Sequence, residues 1–401
     1  MQLSSDIAII GSGIAGLWAF KRLSQQGYNV TLFEPEGLGG TQTLASQGMI
    51  HGGQRYALTG IASQHAFDLK AMPAIWGACL QGGGLIDLSK VEVLSDSQVI
   101  WAPASFVSKV TAYVASKSMA STVKELKPKE WPQVFQDSPR NAKSTVYELG
   151  EAVVAVKSLV RELIAPFSHK VVHARFETMQ VNGSEVHGQF RTLDNNVVTC
   201  RAQAFLFAAG CGNEHALKQI PNEAKVFATQ RRPLRQVMVK GMKYPLYGHC
   251  ITADPRPRVT ITSHLDPENP STFIWYLGGI VADKGASMSE AETLALAKNE
   301  LSELFPELGW QHRLWASCFV DRAEPYASEG FFKSAPELYA RGRVAVAWPT
   351  KLTFAPALGH EVETWISNLG LEKTHDSTTT LPTPIKLGNY PWEHTKWQQI
   401  D

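Results

Sequence analysis

Two glycine clusters, at residues 11–16 and 39–53, constrain the fold of this chain more than any other feature. Ile7-Ala8-Ile9-Ile10 is a short apolar run, and it leads directly into Gly11-Ser12-Gly13-Ile14-Ala15-Gly16. Leu17, Phe20 and Leu23 then recur at helical spacing, and a second apolar run, Val30-Thr31-Leu32-Phe33, ends at Glu34. Strand, glycine turn, helix, strand and acid form the βαβ unit that holds an ADP moiety. Gly11 permits the tight turn, Gly13 lets the backbone approach a pyrophosphate, and Gly16 lets helix and strand pack closely. Ile14 and Ala15 open the helix, whose first N–H groups have no intrahelical partner and face the phosphates. Glu34 lies 18 residues beyond Gly16, where a carboxylate accepts hydrogen bonds from ribose hydroxyls.

The second cluster bears on which dinucleotide is bound. Gly39-Gly40-Thr41 follows the acid closely, and Ala45-Ser46-Gln47-Gly48-Met49-Ile50-His51-Gly52-Gly53-Gln54-Arg55-Tyr56 comes next. A nicotinamide dehydrogenase continues with further regular βαβ units. Here a small-residue loop and an extended segment follow, which suits a large flat cofactor laid along the backbone. Gly40, Thr41, Ser46, Gln47 and Gly48 are the candidate contacts in this stretch. The sequence resembles the FAD-dependent oxidoreductases of the D-amino-acid oxidase superfamily. Within it, the Ile50–Tyr56 string looks most like flavin-linked glycerol-3-phosphate dehydrogenases and oxidases. The resemblance implies FAD as the cofactor, with an α/β (α+β) fold: a Rossmann-like FAD-binding domain and a discontinuous substrate domain built on a mixed β-sheet.

Composition agrees with a large enzyme. At 401 residues and 44% hydrophobic content the chain is long enough for one large core or two connected ones. A formal net charge of +1 gives no basic field for nucleic acid. Five scattered cysteines without CxxC spacing argue against a disulfide framework or a zinc site and fit a reducing cytoplasm. No apolar run approaches membrane-spanning length, and the short N-terminal run continues into the glycine motif, so no signal peptide is expected. The expectation is a cytoplasmic protein, with peripheral contact at the inner membrane left open.

The pattern along the chain predicts a helix over Glu151–Ile164 and a strand at Val171–Ala174. A hairpin follows, Glu177–Val181 with Val186–Leu193, turning at Asn182-Gly183. Ala204–Ala208 reads as a buried strand ending at Gly210. Strands are expected at Gln236–Lys240, Val259–Ser263 and Thr272–Gly278, and a helix at Ser289–Leu304 capped by Ser287 or Ser289. Residues 1–60, 151–224 and 336–370 are read as the FAD-binding domain, 61–150 and 225–335 as the substrate domain, and 371–401 as a surface tail.

The last third carries the chemistry candidates. The strand Arg343–Trp348 runs into Pro349-Thr350-Lys351-Leu352-Thr353, followed by a helix from about His360 to Leu369. A helix N-terminus or Lys351 there would stabilise negative charge on a reduced flavin. Lys351-Leu352-Thr353 resembles the Lys-Leu-Thr segment of the glycerol-3-phosphate enzymes, where the lysine faces flavin and substrate. Val320-Asp321-Arg322-Ala323-Glu324-Pro325 stands where those enzymes have a Val-Arg-Pro segment whose arginine holds the substrate phosphate. Phe354-Ala355-Pro356 departs from the family's continuation, and the longer enzymes' additional C-terminal domain is absent from this sequence. Arg55, Arg322, Lys351 and His51 are the candidate catalytic residues. His249 is a secondary general-base candidate, and Arg231, Arg232 and Arg235 read as a charged strand end. No metal is expected.

The parts predict hydride transfer from a small anionic substrate, a polyol phosphate such as glycerol 3-phosphate or a 2-hydroxy acid. The electron acceptor (oxygen, quinone or carrier protein) stays open. An amino-acid or amine oxidase of the same superfamily is the alternative, and a non-catalytic flavin-binding regulatory or assembly protein is the alternative from another class. A flavin hydroxylase lacks support because the expected late Gly-Asp pair reads Ala347-Trp348-Pro349-Thr350.

Overall fold

A computed structural model describes residues 1–52, 71–103, 123–138, 144–220, 229–252, 254, 256–326, 335–374 and 385–400. Two large sheets organise them. The first is seeded by Gln2–Ile10, which pairs in parallel with Val30–Glu34 on one side and Val197–Phe207 on the other. Ile7, Ala8 and Ile9 are fully buried, as an interior parallel strand requires when both faces are covered. Val344–Trp348 extends the sheet in parallel beyond Val197–Phe207, and Glu337–Arg341 closes that edge antiparallel.

One face of this sheet carries the helix Ile14–Gln25, which packs with Val156–Ile164 and Ala355–Leu369. Burying Leu17, Phe20 and Leu23, each 0% exposed, stabilises the arrangement by about 1.5–3 kcal/mol per side chain. The other face is covered by an antiparallel excursion, Val171–Asn182, Glu185–Thr192 and Val197–Phe207. It seals Phe33 under Phe190, with ring centroids 3.7 Å apart.

The second sheet runs Leu314–Pro325, Thr229–Met242, Phe273–Gly278, Val259–Leu265, Gly248–Cys250, Gln98–Ala102, Thr145–Leu149, Val123–Glu125. All neighbours are antiparallel except Gly248–Cys250 with Gln98–Ala102. Its strands alternate. Val237, Val239, Cys250, Val259, Ile261, Trp275 and Leu277 join a core with Leu294, Ala297 and Leu301 of the helix Glu290–Leu304. Gln236, His249 and Thr260, the intervening residues, line a cavity between the sheets. The helix opens with a capping box in which Ser289 and Glu292 satisfy each other's backbone donors.

Several sequence expectations change in detail. The helix expected over Glu151–Ile164 begins at Val156, because Val153 and Val154 are taken up in a short strand against Val93–Ser95. Val171–Asn182 is a single strand, not a strand followed by a separate hairpin arm. The small-residue loop contains a helical turn, Gly40–Leu44. The last helix begins at Ala355, with Pro356 in its first turn, where a missing N–H is no loss. The residues read as a surface tail do more than lie on the surface. Leu387 bridges Leu38, Gln398 bridges Trp315, and Trp392 is buried between His264 and Tyr390, at centroid distances of 4.2 and 4.4 Å.

Candidate active site

The cavity between the sheets has a volume of about 1320 Å³, beyond the 300–1,000 Å³ usual for a single drug-sized ligand. One end opens over the carboxyl ends of the parallel strands. Gly11 sits at φ +102°, and a Cβ there would lie 2.6 Å from the Ala208 carbonyl oxygen. A Cβ on Gly16 would fall onto the Gly11 carbonyl oxygen. These two positions therefore admit only glycine while the helix lies on the turn. Leu17 N–H bonds the Gly13 carbonyl, so the amides before it stand at the free helix end. Ile14 N–H is taken by Thr43 Oγ1 at 2.9 Å. Gly13, Ile14 and Ala15 all line the cavity.

Glu34 is buried at the end of its strand. Its Oε2 accepts from Ser12 N–H and Oγ–H at 2.9 and 2.6 Å, and its Oε1 accepts from Glu36 N–H at 3.0 Å. The carboxylate thus fixes the glycine turn and also faces the cavity. Gly210, at φ +54° with open space where a Cβ would project, lines the opposite wall. Next to it, burial raises the Cys211 thiol above its ordinary range, which disfavours a reactive thiolate.

The segment Gly40–His51 forms the floor and ties the sheets together. Gly40 and Thr41 border the cavity. Gly48 is glycine for a reason unrelated to the cavity, since a Cβ would strike the Val154 carbonyl oxygen. Gln47, expected as a cofactor contact, directs its Nε2 to the carbonyls of Tyr276 and Thr260, at 2.9 and 3.4 Å. Tyr276 Oη in turn donates to the Ala45 carbonyl at 2.8 Å, and Gln42 Oε1 accepts from Ala323 N–H at 3.3 Å. These staples join residues more than two hundred positions apart, and single-sequence reading has no signal for them. Ser46 Oγ is buried with no hydrogen-bond partner.

Lys351, Leu352, Thr353, His51, His249, Arg256 and Arg322 also line the cavity. Lys351 N–H donates to the Pro349 carbonyl at 2.6 Å across Thr350, whose φ is +57°. A bond from i to i+2 around positive φ is a strained γ-turn, and a β-branched residue there is an outlier. Thr350 was not singled out from sequence, because φ has no signature in a threonine. Thr353 Oγ1 donates to the His51 carbonyl at 2.9 Å and accepts from His51 N–H at 3.2 Å, so its side chain clasps the floor segment. The Lys351 ammonium lies 5.7 Å from the Phe354 ring centroid.

Arg322 lies on Leu314–Pro325 and donates its Nε to the Arg232 carbonyl at 3.2 Å. Asp321 pairs with Arg231 at 2.9 Å, and the buried Glu324 takes Arg232 at 2.6 Å. Arg235 lies over Phe319. Arg322, from a strand of the second sheet, and Lys351, from the turn after Val344–Trp348 of the first, thus line one cavity. Arg55 lies outside the described residues. Arg256, which sequence reasoning missed, pairs with Asp254 and Asp283 at the cavity edge. Among the described residues no group of three His, Cys, Asp or Glu side chains is arranged to hold a metal ion.

A nucleotide-binding βαβ unit, a second sheet facing it and a long cavity between them define a two-sheet flavoenzyme. The family model for FAD-dependent oxidoreductases (DAO) matches residues 6–365, and the chain belongs to that family. It is 38% identical over 395 residues to the probable FAD-dependent oxidoreductase PA4991 of Pseudomonas aeruginosa, covering 98% of both chains. The crystal structure of that protein superposes with a TM-score of 0.81 at 33% identity over 98% of each chain. Two more distant structures share the fold. Dithionite-reduced L-α-glycerophosphate oxidase of Mycoplasma pneumoniae with FAD bound gives a TM-score of 0.65 at 15% identity, covering 97% of this chain and 99% of that one. Glycine oxidase of Geobacillus kaustophilus gives 0.64 at 15% identity, covering 95% and 99%. The cofactor is FAD, and the residues present fit it. The glycine turn leaves room for a pyrophosphate, and Ser46 offers a buried hydroxyl without a protein partner.

Proposed function

We propose that this FAD-dependent oxidoreductase oxidises a small anionic substrate, a polyol phosphate such as glycerol 3-phosphate or a 2-hydroxy acid. One observation carries the reading: Arg322, on a strand of the second sheet, and Lys351, in the turn after a strand of the first, line the same cavity. Cations in a partly dry cleft attract a carboxylate or phosphate far more strongly than on open surface. A guanidinium suits either anion by two parallel bonds.

FAD, when bound, accepts two electrons from the substrate carbon as a hydride. Gly11, Gly13, Ile14, Ala15 and Gly16 would receive its pyrophosphate, Glu34 its ribose, and Gly40, Thr41, Ser46, Gln47, Gly48 and Gly210 would flank its length. Lys351, Leu352 and Thr353 would meet the ring end. Arg322 binds the substrate anion, and Lys351 holds positive charge where negative charge builds. Two-point fixation keeps the reacting carbon within about 3–3.5 Å of its acceptor. His51, clasped by Thr353, walls the same end.

The two distant relatives act, by their names, on glycerophosphate and on glycine, and their TM-scores differ by 0.01. The fold therefore does not favour an alcohol over an amine. No helix among the described residues is long and apolar enough to cross a membrane. The test is anaerobic mixing of the holoprotein with hydroxy acids, polyol phosphates, amino acids and their neutral analogues, following the visible flavin band. Anions should bleach it. Equal bleaching by neutral polyols would refute the anion clamp.

A further inference from the structure

We propose that His249 accepts the hydroxyl proton of the substrate, so that the substrate is an anionic alcohol and not an amine; this rests on the anion-oxidation reading above. The strand Gly248–Cys250 directs His249 by its pleat. Cys250 is fully buried in the outer core of the second sheet, and its neighbour therefore projects to the opposite face, where His249 lines the cavity. Gly248 holds the strand tight, because a Cβ there would fall on the Val99 carbonyl oxygen of the parallel neighbour. His249 is in register with Thr260, and its Nδ1 lies 2.9 Å from Thr260 Oγ1.

That hydroxyl both donates and accepts. With Nδ1–H given to Thr260, Nε2 carries the lone pair. After protonation both nitrogens are donors and Thr260 still accepts, so neither charge state requires the ring to move. Among the described residues the cavity wall also carries Lys351, His51, Arg322, and Arg256, the last paired with Asp254 and Asp283.

The chemistry separates the two substrate classes. A neutral amine gives up hydride with its nitrogen lone pair already available. A carbinol must also lose its O–H proton, and no alkoxide is present near neutral pH. As the carbinol C–H bond breaks, its electron pair leaves with the hydrogen to the cofactor. The O–H proton passes to His249 Nε2, the carbon becomes a carbonyl carbon, and imidazolium later returns the proton to solvent.

The experiment is anaerobic stopped-flow reduction of the holoenzyme by glycerol 3-phosphate, lactate and glycerate, with glycine and alanine as amine counterparts. His249→Asn keeps a polar atom near Thr260 and removes Nε2, His249→Gln is the second variant, and His51→Gln is the rival. Oxalate binding, read from flavin difference spectra, reports whether the pocket is intact. At least one hydroxylated anion should reduce the wild type. Both His249 variants should slow that reduction by about 10²–10⁴-fold, lose the acidic limb of its pH profile and still bind oxalate. Wild-type rates in the oxalate-binding His249 variants, or the loss appearing only in His51→Gln, would overturn the assignment. So would reduction by amines alone. If no anion of either class reduces the flavin and oxalate does not bind the wild type, the anion reading itself falls.

Discussion

Around the glycine turn the cavity walls are backbone and short polar side chains from residues 10–49, faced by Arg175–Glu177 and Phe207–Gly212. Elsewhere they include charged and aromatic side chains delivered by strands and turns as far apart as His51 and Lys351. The first region is stiff by exclusion. Gly11 and Gly16 have no space for a Cβ, and both Glu34 oxygens are engaged by turn amides. The second is held by hydrogen bonds between sheets, through Gln47, Gln42, Tyr276 and Thr353. The difference separates what is required to hold a dinucleotide, a shape, from what is required to choose a substrate, a set of side chains.

The comparison is broken most severely at Gly16. Gly16→Ala drives a methyl into the Gly11 backbone and should destabilise the fold by more than about 4 kcal/mol. Soluble yield and flavin content would both collapse, and a yellow, stable variant would refute the close approach. In the other region, Arg322→Ala should raise KM for an anionic substrate about a hundredfold, or about 3 kcal/mol, with FAD retained. Lys351→Ala should instead lower kcat. Steady-state kinetics separates the two.

A smaller effect is expected at Glu34. Glu34→Gln sets an amide donor against backbone donors that the carboxylate now satisfies, and FAD affinity should fall by about 1–3 kcal/mol, read by titrating apoprotein. The smallest is a pH effect away from the cofactor. Burial pushes the His264 imidazole down to about 3 from its ordinary 6.5. Below pH 6.5 the unfolded chain takes up a proton that the folded ring refuses, so stability falls as pH falls from 6.5 towards 3. The loss is about 2 kcal/mol at pH 5. His264→Phe should flatten that slope in thermal melts, leaving the first sheet's share of acid sensitivity in view.

Legibility in the sequence followed the same division. The strand, turn and acid at residues 7–34 could be read because each depends on neighbours within a few positions. Lys351 and Arg322 could be named from resemblance, but what each touches depended on the register of Leu314–Pro325 against Thr229–Met242 and on which acids Arg231 and Arg232 had already taken. Gln47 could be placed beside the cofactor because its position near the glycines is a local fact, whereas its bonds to Tyr276 and Thr260 across to the second sheet are not. In sequence Trp392 reads as part of a surface tail rich in threonine, proline and tryptophan, because composition does not say which tryptophan finds a slot between His264 and Tyr390.

The cavity draws on residues from Ile10 to Thr353, and this orders events during synthesis. Gly11 and Lys351 are 340 positions apart, so at 5–20 residues per second roughly 20–70 s separate their appearance. The glycine turn and its helix can form early, yet the ring end of the site does not exist until the Val344–Trp348 strand joins the sheet. Flavin capture before that moment would engage only the ADP half of the cofactor. In flavin-starved cells the two sheets should therefore be joined across the cavity only by protein contacts such as the Gln47, Tyr276 and Gln42 bonds, leaving its walls more open to proteases.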